Sequence, residues 1–225
     1  MDKNKKLIII GDSAFAQIAY EYFTYDSDYE VVAFSVEKDY LKDEEMLGLP
    51  VIPLEDIEKL YNPGNHYVFV ATVYKKLNRL RTRLMKECKD KGYKLASYIS
   101  SHAFVWKNVK IGEHCFIFEN NVVQPFVELG NNTVLWSGNH IGHHSRFGDN
   151  CFVASHAVVS GFCNIGDNCF IGVNATIINN IKIGSDCIVG AGVLVLKDIE
   201  SGKIVKGKAS DVEFLSERTK NSLKE

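Results

Sequence analysis

Residues 141–165 read IGHHSRFGDNCFVASHAVVSGFCNI and place Ile141, Phe147, Val153, Val159 and Ile165 six positions apart. The spacing runs without a slip from Ile99 through Val105, Ile111, Ile117, Val123, Leu129 and Leu135 to this stretch, then on through Ile171, Ile177, Ile183 and Val189 to Val195. A period of six is neither the 3.6 of a helix nor the 2 of a strand; it marks a parallel β-helix of six-residue repeats. Three repeats close one triangular coil, so residues 18 apart stack in columns.

Columns sort the residues between the aliphatics. Gly112, Gly130, Gly148, Gly166 and Gly184 follow the periodic residue at one corner, with His114, Asn132, Asn150, Asn168 and Asp186 two places on. Both sets suit a corner of positive φ and read as architecture rather than as ligands. Cys115, Cys151, Cys163, Cys169 and Cys187 take the small inward position, four of them in one column with Thr133. They read as reduced structural thiols in a cytoplasmic protein rather than as disulfides. The column Phe116, Val134, Phe152, Phe170, Ile188 should point outward, near a subunit interface.

Upstream, KLIIIG (6–11) reads as a buried strand, DSAFAQIAYEYF as a helix, and β and α segments then alternate to about residue 97. That pattern implies a small Rossmann-like α/β domain over 1–97, the β-helix over 98–200 and a C-terminal tail over 201–225 ending in a short solvated helix. Ligands of such sheets sit at the carboxyl ends of the strands, which puts Gly11, Asp12, Ser13, Ser35, Glu37, Thr72 and Tyr74 around a site. The turn Gly11-Asp12-Ser13-Ala14-Phe15-Ala16 lacks the later glycines of a dinucleotide fingerprint, so NAD is not expected. A net charge of -2 with interspersed signs carries no nucleic-acid footprint. The start MDKNKKLIII is too short an apolar run for a signal peptide or a membrane span.

Four of seven histidines lie between 140 and 156. Metal ligands on neighbouring coils should differ by about 18 in number, and no two histidines do; His102 and His156 stand three coils apart, roughly 14 Å at a 4.8 Å spacing. Adjacent His143 and His144 should point to opposite sides of a strand. Neither arrangement makes a metal site. A general base is the better reading, and His143 the best placed: Pro125 lies below it and Gly161 above, the glycine leaving room beside the ring and a backbone N–H toward an oxyanion. His144 is stacked between Phe126 and Phe162.

At these residues the chain resembles the hexapeptide-repeat bacterial sugar acyltransferases of the NeuD/PglD type, over most of its length. The resemblance implies a left-handed β-helix and a homotrimer whose active sites lie between subunits. It implies acetyl-CoA as co-substrate with no metal, and a nucleotide-linked amino sugar as acceptor. His143 would take the proton of the attacking amine and the Gly161 amide would bind the thioester oxygen. Gly161, Gly172, Val173, Gly190 and Ala191 would contact coenzyme A. His144 stands where a carboxylate is usual, and a backbone carbonyl or Asn139 is expected to fix the His143 tautomer. Ala14 and Ala16, Ser35 and Val36, and Val73 and Tyr74 depart from the family pattern around the nucleotide-sugar site. Trp136 stacks over Phe118, either as a wall of the site or as packing. The implied activity is N-acetylation by direct transfer, in polysaccharide or glycan synthesis. Sugar O-acetylation and a non-catalytic β-helix scaffold are the alternatives.

Overall fold

The computed structural model describes residues 3–209 and Leu215. Its first domain centres on β1 (Lys5–Ile10), whose Leu7, Ile8, Ile9 and Ile10 are at most 1% exposed because both faces of the sheet are covered. Around β1 are built α1 (Ala14–Tyr25), β2 (Tyr29–Val36), β3 (Glu45–Met46), β4 (Leu49–Pro53), α2 (Ile57–Leu60), β5 (His66–Val70), α3 (Arg79–Asp90) and β6 (Lys94–Leu95). Strand order is β3-β4-β2-β1-β5-β6, parallel except for β3. Alternate residues of β1 face opposite ways: Leu7 and Ile9 pack with Phe15, Ala19 and Phe23 of α1, and Ile8 and Ile10 with Ile57, Leu84 and Cys88.

From Tyr98 the chain winds into coils of three two-residue strands, and partners in successive coils are 18 apart, as in Phe116↔Val134 and Val134↔Phe152. The second residue of each strand turns inward, so Ile117, Val123, Leu135, Ile141, Val153 and Val159 are wholly buried. Three faces result. One runs from Tyr98–Ile99 to Ile204–Val205, a second from Phe104–Val105 to Leu194–Val195, a third from Lys110–Ile111 to Lys182–Ile183. Their outward residues differ in character. The second is apolar, with Phe104, Val158 and Leu194 exposed, and the third carries Lys110, Glu128, Arg146, Asn164 and Lys182.

From His114 to Gly192 each corner turns on a left-handed residue six places from the last: Asn120, Phe126, Asn132, Gly138, His144, Asn150, His156, Phe162 and Asn168 have φ between 55° and 77°. Positive φ therefore belongs to the asparagine position and not to Gly112, Gly130 or Gly148. Those glycines answer a different need, because a Cβ on Gly112 would lie 2.6 Å from Asn131 Oδ1 in the coil above.

The lower part of the first face does not point outward to solvent. Phe116, Val134 and Phe152 are 0%, 1% and 4% exposed beneath Phe15, Ala19, Phe23 and Phe69, so the chain's own first domain covers the lower part of the ladder expected near a partner, and Phe170 and Ile188 above it are half-buried. A ladder that the period puts on the outside is covered here by residues far away in sequence, which no local pattern announces. Trp136 belongs to the same packing, its ring 4.2 Å from Phe118 and 5.4 Å from Phe15.

A polar clamp fixes the two domains. Asn132, Asn150, Asn168 and Asp186 hydrogen-bond in file up one corner, and α3 lies along them. Arg81 Nε donates to Asn132 Oδ1 at 2.6 Å, Thr82 Oγ1 to Asn150 Oδ1 at 3.0 Å, and Arg79 pairs with Asp186 at 2.7 Å. Arg81 is fully buried between Phe69 and Phe15, and desolvation pushes its guanidinium down to about 9. His114 Nε2 accepts from the Val70 amide at 2.8 Å, which requires the neutral ring.

All six cysteines are buried and free, and burial raises the Cys115 thiol to about 11. The six-residue period slips by two after Val195 and resumes: Ile199 bridges Ile183 and Ile204 pairs with Ile188, each 16 apart. One more strand thus begins what reads in sequence as tail. The expected terminal helix lies outside the described residues.

Burial, then the Arg81 charge, hold the His114 imidazole well below its ordinary value of 6.5. The unfolded chain takes up a proton near 6.5 that the folded one refuses, so stability is full above that pH and falls progressively below it. Urea unfolding at pH 7.5 and 5 should show this loss, and His114→Asn, which keeps a residue suited to the corner, should lose less.

Candidate active site

At the carboxyl ends of β1, β2 and β5 a cleft of about 390 Å³ is lined by Gly11, Asp12, Glu37, Tyr40, Thr72, Lys75 and Arg83, among others. An adjoining recess shares Gly11, Asp12 and Thr72 and adds Ser13. Two residues expected here lie elsewhere. Ser35 is 0% exposed, its carbonyl accepting the Gly11 amide at 2.7 Å, because its side chain points into the sheet packing while Val36 and Glu37 reach the cleft. Tyr74 has left the strand end and lays its ring 4.4 Å from Phe170 on the first face of the β-helix.

Tyr40, Lys75 and Arg83 were not legible as site residues. Arg83 comes from the middle of α3 and grips Glu37 with both nitrogens, at 3.0 and 2.8 Å, which raises the guanidinium further. The basic run Lys75-Lys76 just after β5 was the one local signal.

The second cluster sits at the corner between the apolar and charged faces. His143 and His144 are turn residues there, with His144 left-handed at φ 59°. Strand alternation therefore does not apply, and the two rings converge instead of diverging: Nδ1 to Nδ1 is 3.1 Å and the ring planes are perpendicular, at 89°. His143 lies against the bare Cα of Gly161, where a Cβ would come within 2.8 Å of its Cε1. The room expected beside the imidazole is occupied by the imidazole itself. Its Nε2 has no protein partner among the described residues.

The Gly161 N–H is donated to Asn179 Oδ1 at 3.0 Å, so it is not free in this conformation. Asn139 does not serve His143. Its Nδ2 donates to Trp136 O at 2.5 Å and its Oδ1 accepts from Ala157 N at 2.7 Å, both inside the coil.

Gly172, Val173, Gly190 and Ala191 gather at a different corner, between the first and the apolar face. One chain thus carries His143 and these four at opposite edges of its apolar face. Among the described residues no group of three or more His, Cys, Asp or Glu side chains could hold a metal ion. No described helix is long and apolar enough to cross a membrane.

The bacterial transferase hexapeptide model, of six repeats, matches residues 108–143 and 162–197. A histidine-to-asparagine mutant of perosamine N-acetyltransferase from Caulobacter crescentus, solved with CoA and GDP-perosamine, superimposes with a TM-score of 0.81 at 27% identity over 90% of this chain and 93% of that one. The chain carries the bacterial transferase hexapeptide repeat and resembles the sugar N-acetyltransferases. The same fold, with both domains, is found in the acetyltransferase domain of PglB from Neisseria gonorrhoeae FA1090, at TM-score 0.81 and 24% identity over 91% and 97% of the two chains. WeeI from Acinetobacter baumannii AYE shares it at TM-score 0.68 and 24% identity, over 90% and 97%. No curated protein matches the sequence significantly.

For this acetyltransferase, Gly161→Ala is a local probe. The three atoms nearest the new Cβ all belong to the His143 ring, at 2.8 to 3.3 Å, and the ring must be pushed aside. Turnover should fall at least tenfold with little change in Tm. Gly172→Ala meets the Ala191 backbone nitrogen at 2.5 Å and should instead lower Tm by several degrees.

Proposed function

We propose that this protein transfers the acetyl group of acetyl-CoA to the amino group of a nucleotide-linked deoxysugar. The observation that carries the reading is a likeness spanning both domains to an enzyme solved with CoA and GDP-perosamine, combined with a strand-end cleft and an exposed histidine with a free Nε2. The cleft binds the nucleotide sugar. Lys75 supplies positive charge for the phosphates, with the Asp12 carboxylate and the Glu37–Arg83 pair beside it.

In the reaction the amine attacks the thioester carbon, and His143 Nε2 takes the ammonium proton as the C–N bond forms. The tetrahedral intermediate collapses with loss of the thiolate of coenzyme A. Gly161 donates its amide to the developing oxyanion once the exposed Asn179 side chain turns away. Transfer is direct, since thiols buried in the coil are poor nucleophiles.

The active site is shared in a homotrimer. The cleft belongs to the domain on the first face, and His143 stands at the corner opposite that face. A second chain packed on the apolar face brings the corner of one subunit that carries Gly172 and Gly190 against the His143 corner of the next. Exposure of Phe104, Leu194 and Leu196 at 52%, 57% and 62% leaves that face in need of a partner.

Thiol release from acetyl-CoA, measured against nucleotide-linked 3-amino and 4-amino sugars, tests the reaction. His143→Ala should lower kcat by roughly 10²–10⁴-fold; no turnover by wild type with any member of the panel would overturn the reading. Leu194→Glu should yield a monomer by light scattering that has lost activity. A fully active monomer would refute the shared site.

A further inference from the structure

His143 can act as a base only at a nitrogen that holds a lone pair, and the free nitrogen is Nε2. Its proton must then sit on Nδ1. Nδ1 lies 3.1 Å from Nδ1 of His144, and among the described residues no carboxylate or carbonyl takes its place. We propose that His144 is the positioning residue of the site: its Nδ1 lone pair accepts the Nδ1–H of His143, so that a pair of imidazoles holds the base in its working tautomer. Inference and mechanism are linked, because this role rests on His143 being the base.

The surroundings of His144 are built for it. Its ring is held face to face between Phe126 below, at 4.6 Å and 27°, and Phe162 above, at 4.8 Å and 18°. All three residues adopt the left-handed conformation, with φ of 66°, 59° and 58°. Phenylalanine takes that conformation at a cost, and the other left-handed corners use asparagine, aspartate, glycine or histidine. Stacking here therefore trades backbone strain for a fixed ring plane. Phe162 also meets the His143 ring edge-on, at 5.0 Å and 88°, while Gln124 Oε1 accepts the His143 backbone amide at 2.9 Å. Both rings are thus oriented from the coils above and below.

The charge balance of such a pair differs from that of a histidine beside a carboxylate. When His143 takes the substrate proton, its positive charge is met by a neutral neighbour that accepts one hydrogen bond. A second proton, on His144, would remove that acceptor and set two cations side by side. The flanking coils place no charge against the pair: Gln124, Pro125 and Phe126 lie on one side, Ser160, Gly161 and Phe162 on the other. Charged groups sharing a recess with His144 are Lys110, Glu128 and Arg146, already paired through Glu128 at 3.0 and 3.5 Å. His140, the other titratable group near this corner, points outward from the apolar face.

The test uses His144→Phe, which keeps the stack and removes the acceptor, and His144→Glu, which restores an acceptor of opposite charge. In wild type, ¹⁵N-resolved imidazole spectra should show His143 protonated at Nδ1 at neutral pH. In His144→Phe they should show mixed tautomers, with kcat for acetyl transfer down about ten- to a hundredfold and KM for acetyl-CoA unchanged. His144→Glu should recover most of kcat, with the acid limb of kcat/KM moved to higher pH because a carboxylate stabilises the imidazolium. Equal kcat and equal tautomer spectra in wild type and His144→Phe would overturn the proposal. The spectra need no substrate, so the tautomer is read even if acetyl transfer itself proves not to be the reaction.

Discussion

The backbone ladder between coils is the constraint on which everything else depends. Each two-residue strand is paired above and below with residues 18 away, and no strand is long enough to stand without those neighbours. Such a ladder tolerates no insertion without a corner adjusting, and the one change of period, two residues lost after Val195, falls at a corner and leaves the pairing intact. The inward column closes the coil by hydrophobic burial. The left-handed corner residue turns it, which is why asparagine recurs there and why Phe126 and Phe162 stand out.

The three faces divide the labour. The first is sealed by aromatic contacts between domains, among them Phe15 on Phe116 at 5.7 Å and Phe69 on Phe116 at 5.1 Å, and locked in register by α3 along the asparagine file. The third is solvated and charged. Among the described residues the apolar second face is left uncovered, and its two edges carry the His143 corner and the corner of Gly172 and Gly190. Arg81, buried without a carboxylate, shows how tightly the first joint is made. Its charge is met by carbonyl and amide oxygens and by two aromatic faces, an arrangement that holds only while both domains stay docked.

The site was legible in the sequence to different depths. Modulus 18 put Gly161 beside His143 and His144 between two phenylalanines, because stacking in a β-helix is set by residue count alone. It misjudged where the rings of His143 and His144 point, since a corner does not alternate as a strand does. It also could not see that Asn179 occupies the Gly161 amide, which depends on a rotamer. In the first domain the strand ends marked Gly11, Asp12, Ser13 and Thr72, whereas Arg83 arrives from a helix and Tyr74 leaves for the other domain.

What the sequence by itself determined is everything periodic: the coil, its core of aliphatics and thiols, its corners, and which residues share a column. A fixed count between hydrogen-bonded neighbours makes such facts local. Only the tertiary structure decided what covers each face, that the Phe116 ladder is closed by the chain's own α1, and that His144 turns its Nδ1 toward His143. Those outcomes depend on surfaces distant in sequence meeting and on side-chain direction at a turn, and neither is written in a repeat.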